Sequence, residues 1–206
     1  MSDGTVDPVL CLASASPRRQ SLLRQIGVPF VVDVADLDES QQRDEAPDAY
    51  VERLARAKAL AVWERRAGDL PVLGADTTVV VDGAILGKPS DQQEAVTMLA
   101  RLSARQHVVL TSIALMSSAG LRQRTSLSKV SFRATTAAER QAYWRSGEPV
   151  GKAGGYAVQG FGAVFIESLQ GSYSGVMGLP LHETAELLRV ADIPYWQPHV
   201  ATRGLE

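Results

Sequence analysis

The stretch that most constrains this chain's fold is Val72–Val81, Val-Leu-Gly-Ala-Asp-Thr-Thr-Val-Val-Val, the clearest strand pattern in the sequence. It runs into Asp82-Gly83, the strongest short hairpin signal, so residues 85–87 are expected to return along it. A sheet is therefore required, and one of its strands carries an acid. Asp76 sits in a run that is otherwise apolar or β-branched, where a carboxylate is expensive to bury unless it is paired or metal-bound. That makes Asp76 the best single candidate for a metal ligand or a general base. The plainer alternative is an aspartate bonding its own local backbone.

Upstream, residues 9–13 read as a short buried strand that stops at Ser14-Ala15-Ser16-Pro17-Arg18-Arg19. Ser16 is a good N-cap, Pro17 suits the first helical position, and Leu22, Leu23 and Ile26 give the helix an apolar stripe that ends at Gly27. A polyphosphate at this helix end would meet free N–H groups, the hydroxyls of Ser14 and Ser16, and the guanidinium forks of Arg18 and Arg19. A capped helix with solvated arginines is the equal alternative at this point.

The remaining elements follow from period and punctuation. A strand over 30–34 and an acid-rich loop over 36–47 precede a helix over 48–67, whose apolar face is Tyr50, Val51, Leu54, Ala57 and Ala61. Lys58 lies at the edge of that face, and period alone reads it as solvated with a covered stem. Ser90 with Gln93 forms a capping box for a helix to residue 102, with Ala95, Met98 and Leu99 turned inward. Strands over 106–117 and 121–134, joined at Ala119-Gly120, are expected to pair as a meander, and Thr136 with Glu139 caps a helix ending near Gly147. A glycine-rich passage over 151–162, a strand over 163–169, a loop over 170–178 and a helix from Pro180 to about residue 190 complete the chain. Residues 1–8 read as a flexible leader, 9–194 as the folded domain and 195–206 as a C-terminal tail, with no internal repeat. Early alternation of strands and helices, followed by hairpins, predicts an α/β fold: a mixed twisted sheet flanked by helices, with two lobes around a cleft as one arrangement of it.

Composition limits the partners. Lys plus Arg is 21 against Asp plus Glu 23, so a net charge of −2 gives the whole surface no attraction for nucleic acid, and any basic site must be local. No apolar run reaches the length of a membrane span, and the opening Met-Ser-Asp-Gly-Thr-Val-Asp-Pro lacks the regions of a signal peptide. The single cysteine, Cys11, falls in the first strand pattern as a small buried hydrophobe, which leaves no intrachain disulfide and fits a reducing compartment. A cytoplasmic protein that binds neither nucleic acid nor membrane is expected.

Further candidate groups sit on loops. Asp38 and Glu39 offer a second carboxylate, and Mg²⁺ is served by one or two carboxylates plus substrate phosphates. Lys88, in Gly87-Lys88-Pro89, and Lys152, in Gly151-Lys152-Ala153-Gly154-Gly155, suit phosphate oxygens and equally suit plain surface loops. The glycines at 154, 155, 160 and 162 allow either a close approach or a tight bend. Gln159 between them offers one donor and one acceptor, which matches the imide edge of uracil or thymine. There is no Walker loop, no Rossmann glycine fingerprint and no Gly-x-Ser-x-Gly elbow, and the scattered His107, His182 and His199 suggest no zinc site.

Taken together, Ser14 to Arg19, Gly74-Ala75-Asp76-Thr77-Thr78, Gly87-Lys88-Pro89, Gly151 to Gly160 and Gly171 to Leu181 match, in order, motifs of the Maf family of nucleoside triphosphate pyrophosphatases. The chain resembles that family over residues 9–190. The resemblance implies an α/β fold shared with inosine triphosphate pyrophosphatases, a homodimer, and a nucleoside triphosphate as substrate. It also implies Asp76 as the catalytic residue, Mg²⁺ or Mn²⁺ held by Asp76 and Glu39, and phosphate contacts from Ser14, Ser16, Arg19, Lys58, Lys88 and Lys152. Members acting on dTTP and UTP carry arginine after the motif proline, threonine after the catalytic aspartate and glutamine in the glycine-rich segment. Arg18, Thr77 and Gln159 stand at those positions, whereas the sister group acting on 7-methyl-GTP differs at all three. One departure is Gly175, where asparagine is more usual. A nucleotide-binding regulator of cell division with incidental catalysis is the alternative from another class, and a phosphatase removing single phosphates is a third reading.

Overall fold

The computed structural model describes residues 7–197. Within them a seven-stranded mixed sheet forms with β2 (Phe30–Val32), β1 (Leu10–Leu12), β3 (Val72–Val81), β5 (Gln106–Ser117), β6 (Gly120–Phe132) and β7 (Ile166–Gln170) as neighbours in that order, while β4 (Ala84–Leu86) pairs with β3. β1 runs parallel to β2 and to β3, and every other pairing is antiparallel. This is the mixed sheet that the sequence predicts. The helices are α1 (Pro17–Gln25), α2 (Pro47–Arg65), α3 (Gln92–Leu102), α4 (Ala137–Arg145), α5 (Tyr173–Met177) and α6 (Leu181–Val190). None of them is long and apolar enough to cross a membrane.

β3 organises the molecule. One of its edges is paired with β5 from Val72 to Val80. The other edge is shared: β1 covers Val72 and Leu73, and β4 covers Val79 to Val81 across the Asp82-Gly83 turn. Among the described residues, no strand lies beside residues 74–78 on that edge. Because β1 is parallel and β4 antiparallel to β3, the C-terminal ends of both strands point into this gap. They deliver the Ser14–Ser16 helix entrance from one side and Gly87-Lys88-Pro89 from the other.

The side chains of β3 alternate between two layers. On one face Val72 joins Cys11, Ala13, Ala55, Ala59, Val62 and Ala114 beneath α2. On the other, Leu73 and Ala75 pack with α1 and α6 through Leu22, Leu23, Leu187 and Leu188, while Val79 and Val81 pack with α3 and α4 through Met98, Leu99, Leu102 and Tyr143. Thr77 falls between these two apolar clusters. The expected two-lobed arrangement takes this form: two packed groups on one sheet face, parted at the gap in the β3 edge.

Local differences from the sequence reading have plain causes. The buried face of α2 is Val51, Leu54, Ala55, Lys58, Ala59 and Val62, so it is rotated away from Ala57 and Ala61, and Lys58 is buried rather than solvated. The rotation follows from size. A Cβ on Gly74 would lie 2.2 Å from the Ala55 carbonyl oxygen and 2.7 Å from the Ala59 nitrogen, so the helix descends onto β3 along its smallest residues. The α3 capping box is shifted by one residue: Asp91 is the N-cap and accepts from Glu94 N, while the Glu94 carboxylate reaches back to Ser90 N. Residues 161–165 form a 3-10 turn before β7, and the expected loop over 170–178 contains α5, capped by Ser172 and closed by Gly178 at φ 118°. The Thr136–Glu139 capping box forms as predicted. Trp196 N and Gln197 N donate to Ile26 O and Gly27 O, and the rest of the predicted tail, including His199, lies outside the described residues, as does most of the predicted leader.

His107 is buried among aromatic rings. Its Nε2 is 2.8 Å from the Tyr156 hydroxyl, Phe132 and Tyr156 stand edge-on to it, and its Nδ1 has no hydrogen-bond partner among the described residues. Burial pushes its pKa down to about 4.

Two predictions follow from this packing. The unfolded chain protonates His107 near its ordinary value and the folded chain only near pH 4, so the stabilisation from keeping it neutral is complete above pH 6.5 and lost as pH falls toward 4. Urea titrations across that range should show a loss of up to about 3 kcal/mol from this group, and His107→Gln, which keeps a partner for Tyr156, should remove that part of the pH dependence. Gly74→Ala should lower the unfolding free energy by about 2 kcal/mol in the same assay, because its methyl group meets helix backbone that cannot step aside.

Candidate active site

The gap in the β3 edge opens into a cleft of about 370 Å³, and Ser14, Ser16, Arg18, Arg19, Glu39, Lys58, Asp76, Thr77, Lys88, Lys152 and Gln159 all line it. The structure therefore brings every site residue that the resemblance implies into one space, whereas Asp38, the other candidate carboxylate, lies outside it. Five cations face two carboxylates there, which provides the local basic site that the net charge required.

At the base of the cleft, Lys58 Nζ lies 2.7 Å from Asp76 Oδ1 and 2.7 Å from Glu39 Oε1. Lys58 and Asp76 are 7% and 6% exposed, so this is a buried ion pair rather than a surface one. Lys88 stands above it, 3.6 Å from Glu39 Oε2. Burial raises the Asp76 pKa against the opposing pull of Lys58 and Arg19. At Glu39 burial again opposes the charge, but the hydrogen bond and charge of Lys58, with Lys88 behind it, hold the carboxyl below its ordinary range. The Tyr50 hydroxyl donates to the Glu39 carbonyl at 2.9 Å and fixes the acidic loop on α2. Asp38 accepts from Ser40 N instead and does not line the cleft.

The helix entrance is preorganised. Ser16 caps α1 through Arg19 N, and Ser14 Oγ accepts from Ser16 N at 3.3 Å and from Arg19 Nη1 at 3.0 Å. Both lone pairs of Ser14 are occupied, so its proton is the part left to donate into the cleft. The two arginines separate by role. Arg19 also binds Gly178 O through Nε at 2.8 Å and Thr77 Oγ1 through Nη2 at 3.2 Å, tying α1 to β3 and to the end of α5. Among the described residues Arg18 makes one side-chain hydrogen bond, Nε to Met177 O at 3.3 Å, and its Nη groups have no partner. Burial lowers the pKa of both arginines.

Thr111 was not anticipated. Its hydroxyl lies 2.8 Å from Gly175 O and 3.0 Å from Thr77 Oγ1. A carbonyl only accepts, so Thr111 donates to Gly175 and Thr77 donates to Thr111, while Thr77 accepts from Arg19. The Thr77 proton thus points away from the cleft. The sequence offers only a threonine in a strand here, and its partner arrives from more than sixty residues away. The far wall is the glycine-rich segment, from which Lys152 donates to the Glu148 carbonyl and Gln159 presents an exposed amide with no partner among the described residues.

The donor set was compared with the divalent ion that the resemblance implies. The described residues contain no group of three or more His, Cys, Asp or Glu able to hold a metal, so an all-protein cage of the zinc or calcium type is not built. Two hard carboxylates do converge, and Asp76 Oδ2 has no hydrogen bond among the described residues. That set fits Mg²⁺ or Mn²⁺, which complete their shells with phosphate oxygens and water.

Comparison with known proteins agrees over nearly the whole chain. It is 51% identical over 189 residues to the dTTP/UTP pyrophosphatase of Hahella chejuensis, covering 91% of this chain and 94% of that one. To the dTTP/UTP pyrophosphatase of Bordetella avium it is 52% identical over 194 residues, covering 90% and 96%. Among solved structures, a nucleoside-triphosphatase / dITP/XTP pyrophosphatase from Mycobacterium abscessus aligns over 89% of this chain and 96% of that chain at 17% identity and a TM-score of 0.45. The family model for Maf-like protein matches residues 9–191, and the chain belongs to the Maf family.

Proposed function

We propose that this chain is a nucleoside triphosphate pyrophosphatase that hydrolyses dTTP and UTP to the nucleoside monophosphate and pyrophosphate, as a homodimer in the cytoplasm. The observation that carries the reading is the convergence of five cations and two carboxylates on one cleft, with a free glutamine amide on its far wall. Relatives about half identical to this chain, themselves dTTP/UTP pyrophosphatases, support the same substrates.

In this reading the triphosphate lies across the α1 N-terminus, with oxygens taken by the Ser14 hydroxyl, the backbone N–H and guanidinium of Arg18, Lys88 and Lys152. Asp76 and Glu39 would hold a divalent ion, which would supply charge neutralisation on the phosphates when bound. A water oxygen bonds to the α-phosphorus, the bond from that phosphorus to the α–β bridging oxygen breaks, and pyrophosphate leaves with that oxygen. Asp76 accepts the water proton. Its burial raises its proton affinity above that of an ordinary carboxylate, which suits a base, while Lys58 keeps it ionised until the proton arrives. Lys58, Lys88 and Arg18 then stabilise the charge that grows on the leaving group. Gln159 offers a donor and an acceptor to the imide edge of uracil or thymine.

Purified protein incubated with dTTP, UTP, CTP, GTP or 7-methyl-GTP and Mg²⁺ should release pyrophosphate from dTTP and UTP. Orthophosphate as the product would make it a phosphatase, and tight binding without product would make it a regulator. Asp76→Asn should abolish pyrophosphate release while its circular dichroism and melting stay those of a folded protein. Gln159→Glu should lower kcat/KM on dTTP and UTP by about tenfold or more while sparing other nucleotides, because a carboxylate has no donor to give; equal loss on every nucleotide would remove Gln159 from base recognition.

A further inference from the structure

Gln159 is exposed and its side chain has no partner among the described residues, yet an amide that reads a base edge must be held to a fraction of an ångström. Its position therefore has to come from its backbone, and that backbone belongs to neither a helix nor a strand. What holds it is a pair of side chains outside the cleft. The Tyr143 hydroxyl, on α4, accepts from Ala157 N at 3.1 Å and donates to Glu148 Oε1 at 2.6 Å. Glu148 Oε1 also accepts from Gly162 N at 2.9 Å, and Oε2 accepts from Phe161 N at 2.9 Å. One hydrogen-bonded pair thus grips the chain two residues before Gln159 and two and three residues after it.

The glycines of the segment record the same device. A Cβ on Gly160 would lie 2.0 Å from Glu148 Oε2, and one on Gly162 would lie 2.7 Å from the Tyr143 hydroxyl. Gly160 has φ −116°, so it is not in the left-handed region that favours glycine; what its missing side chain does is admit the carboxylate. Glu148 also holds Lys152, whose ammonium donates to the Glu148 carbonyl. Burial of the carboxylate is outweighed by Tyr143, the two backbone N–H groups and the charge of Lys152, so Glu148 stays ionised and keeps accepting.

We propose that the Tyr143–Glu148 pair is the positioning device that sets nucleotide discrimination, by clamping Ala157 and the Phe161-Gly162 peptide so that Gln159 meets the base. This rests on the reading of Gln159 as the base-reading group. Neither residue touches the substrate, so the signature is a change in preference rather than a uniform loss. In Glu148→Gln one acceptor oxygen becomes an NH₂ that faces an N–H or O–H donor, whichever way the amide turns. Tyr143→Phe removes both bonds of the hydroxyl, and Gly160→Ala displaces the carboxylate while leaving both side chains of the pair in the sequence.

The test is kcat and KM on UTP, dTTP, CTP and GTP for these three variants and for Gln159→Glu, with melting temperatures measured alongside. The expected result is a fall of about tenfold in the UTP-to-CTP ratio of kcat/KM in all three, arising mainly from a higher KM for UTP, with kcat on CTP within about threefold of the parent. Adding Glu148→Gln to Gln159→Glu should change the ratio little further, since the two act as one unit. Should one variant fail to fold, the other two carry the measurement. An unchanged ratio in these variants, with a collapsed ratio in Gln159→Glu, overturns the clamp and leaves the reading of Gln159 standing. An unchanged ratio in Gln159→Glu as well overturns both, and an equal fall in kcat on every nucleotide reduces the pair to a structural role and overturns the proposal.

Discussion

The site depends on one interrupted edge. A strand buried at the centre of a sheet normally spends both edges on hydrogen bonds, but β3 has its second edge covered only at its two ends. The uncovered residues 74–78 leave backbone groups and an aspartate that must be satisfied by something other than a strand. The opposed directions of β1 and β4 supply it, because each ends at the gap and hands the chain to a polar loop. This resembles the crevice of open α/β sheets, where ligand groups gather beyond strand C-termini, although here one of the two contributing strands is antiparallel to β3.

Electrostatics then decides what the gap can hold. Burying the Asp76–Lys58 pair costs solvation that a single contact in a dry core would not repay, and a second carboxylate, Glu39, shares the same ammonium. The cluster is not sealed in the core: it opens on a cleft whose other walls carry Arg18, Arg19, Lys88 and Lys152. Among the described residues Asp76 Oδ2 and the Arg18 Nη groups have no hydrogen-bond partner, and Lys58 has two carboxylate partners. Arg19 is different. Its three side-chain bonds hold α1, β3 and the end of α5 together and orient the Ser14 hydroxyl.

Much of this was legible in the sequence because the informative groups are local. Val72–Val81, the Asp82-Gly83 turn, the Ser16 cap and the Thr136 capping box each state their geometry within a few residues. What was not legible is contact between distant elements. Lys58 reads as solvated on the period of α2 alone, since only the glycine at position 74, on another element, shows that the helix descends along Ala55 and Ala59. Thr111 and Glu148 carried no signal for a similar reason: one is a threonine among strand residues and the other follows a helix end, and each acquires its role from a partner brought in by the fold. The glycines at 160 and 162 were a visible clue with an unreadable cause, because a close approach names no partner until the partner is in place. The register of the α3 cap slipped by one residue because Ser90 and Asp91 are both good capping residues, and only the reach of Glu94 back to Ser90 N separates them.

Chemistry and selectivity are therefore built on supports of different stiffness. Asp76 and Lys58 stand on β3 and α2, whose backbones are fixed by the sheet and by the helix ladder, and both side chains are buried. Gln159 stands on an irregular segment held by one tyrosine and one glutamate. The described hydrogen bonds join Tyr143 and Glu148 to the segment and to each other but not to Asp76 or Lys58, so on the proposed reading the two sets would be coupled through the nucleotide. On the proposed reading, such an arrangement would let the reading of the base change while the proton-accepting centre stays as it is, because a shift of the segment would alter which edge is met without disturbing β3. The cost falls on precision: a support of a few hydrogen bonds tolerates less disturbance than a sheet, and the close approach of Glu148 to Gly160 leaves it little room to adjust.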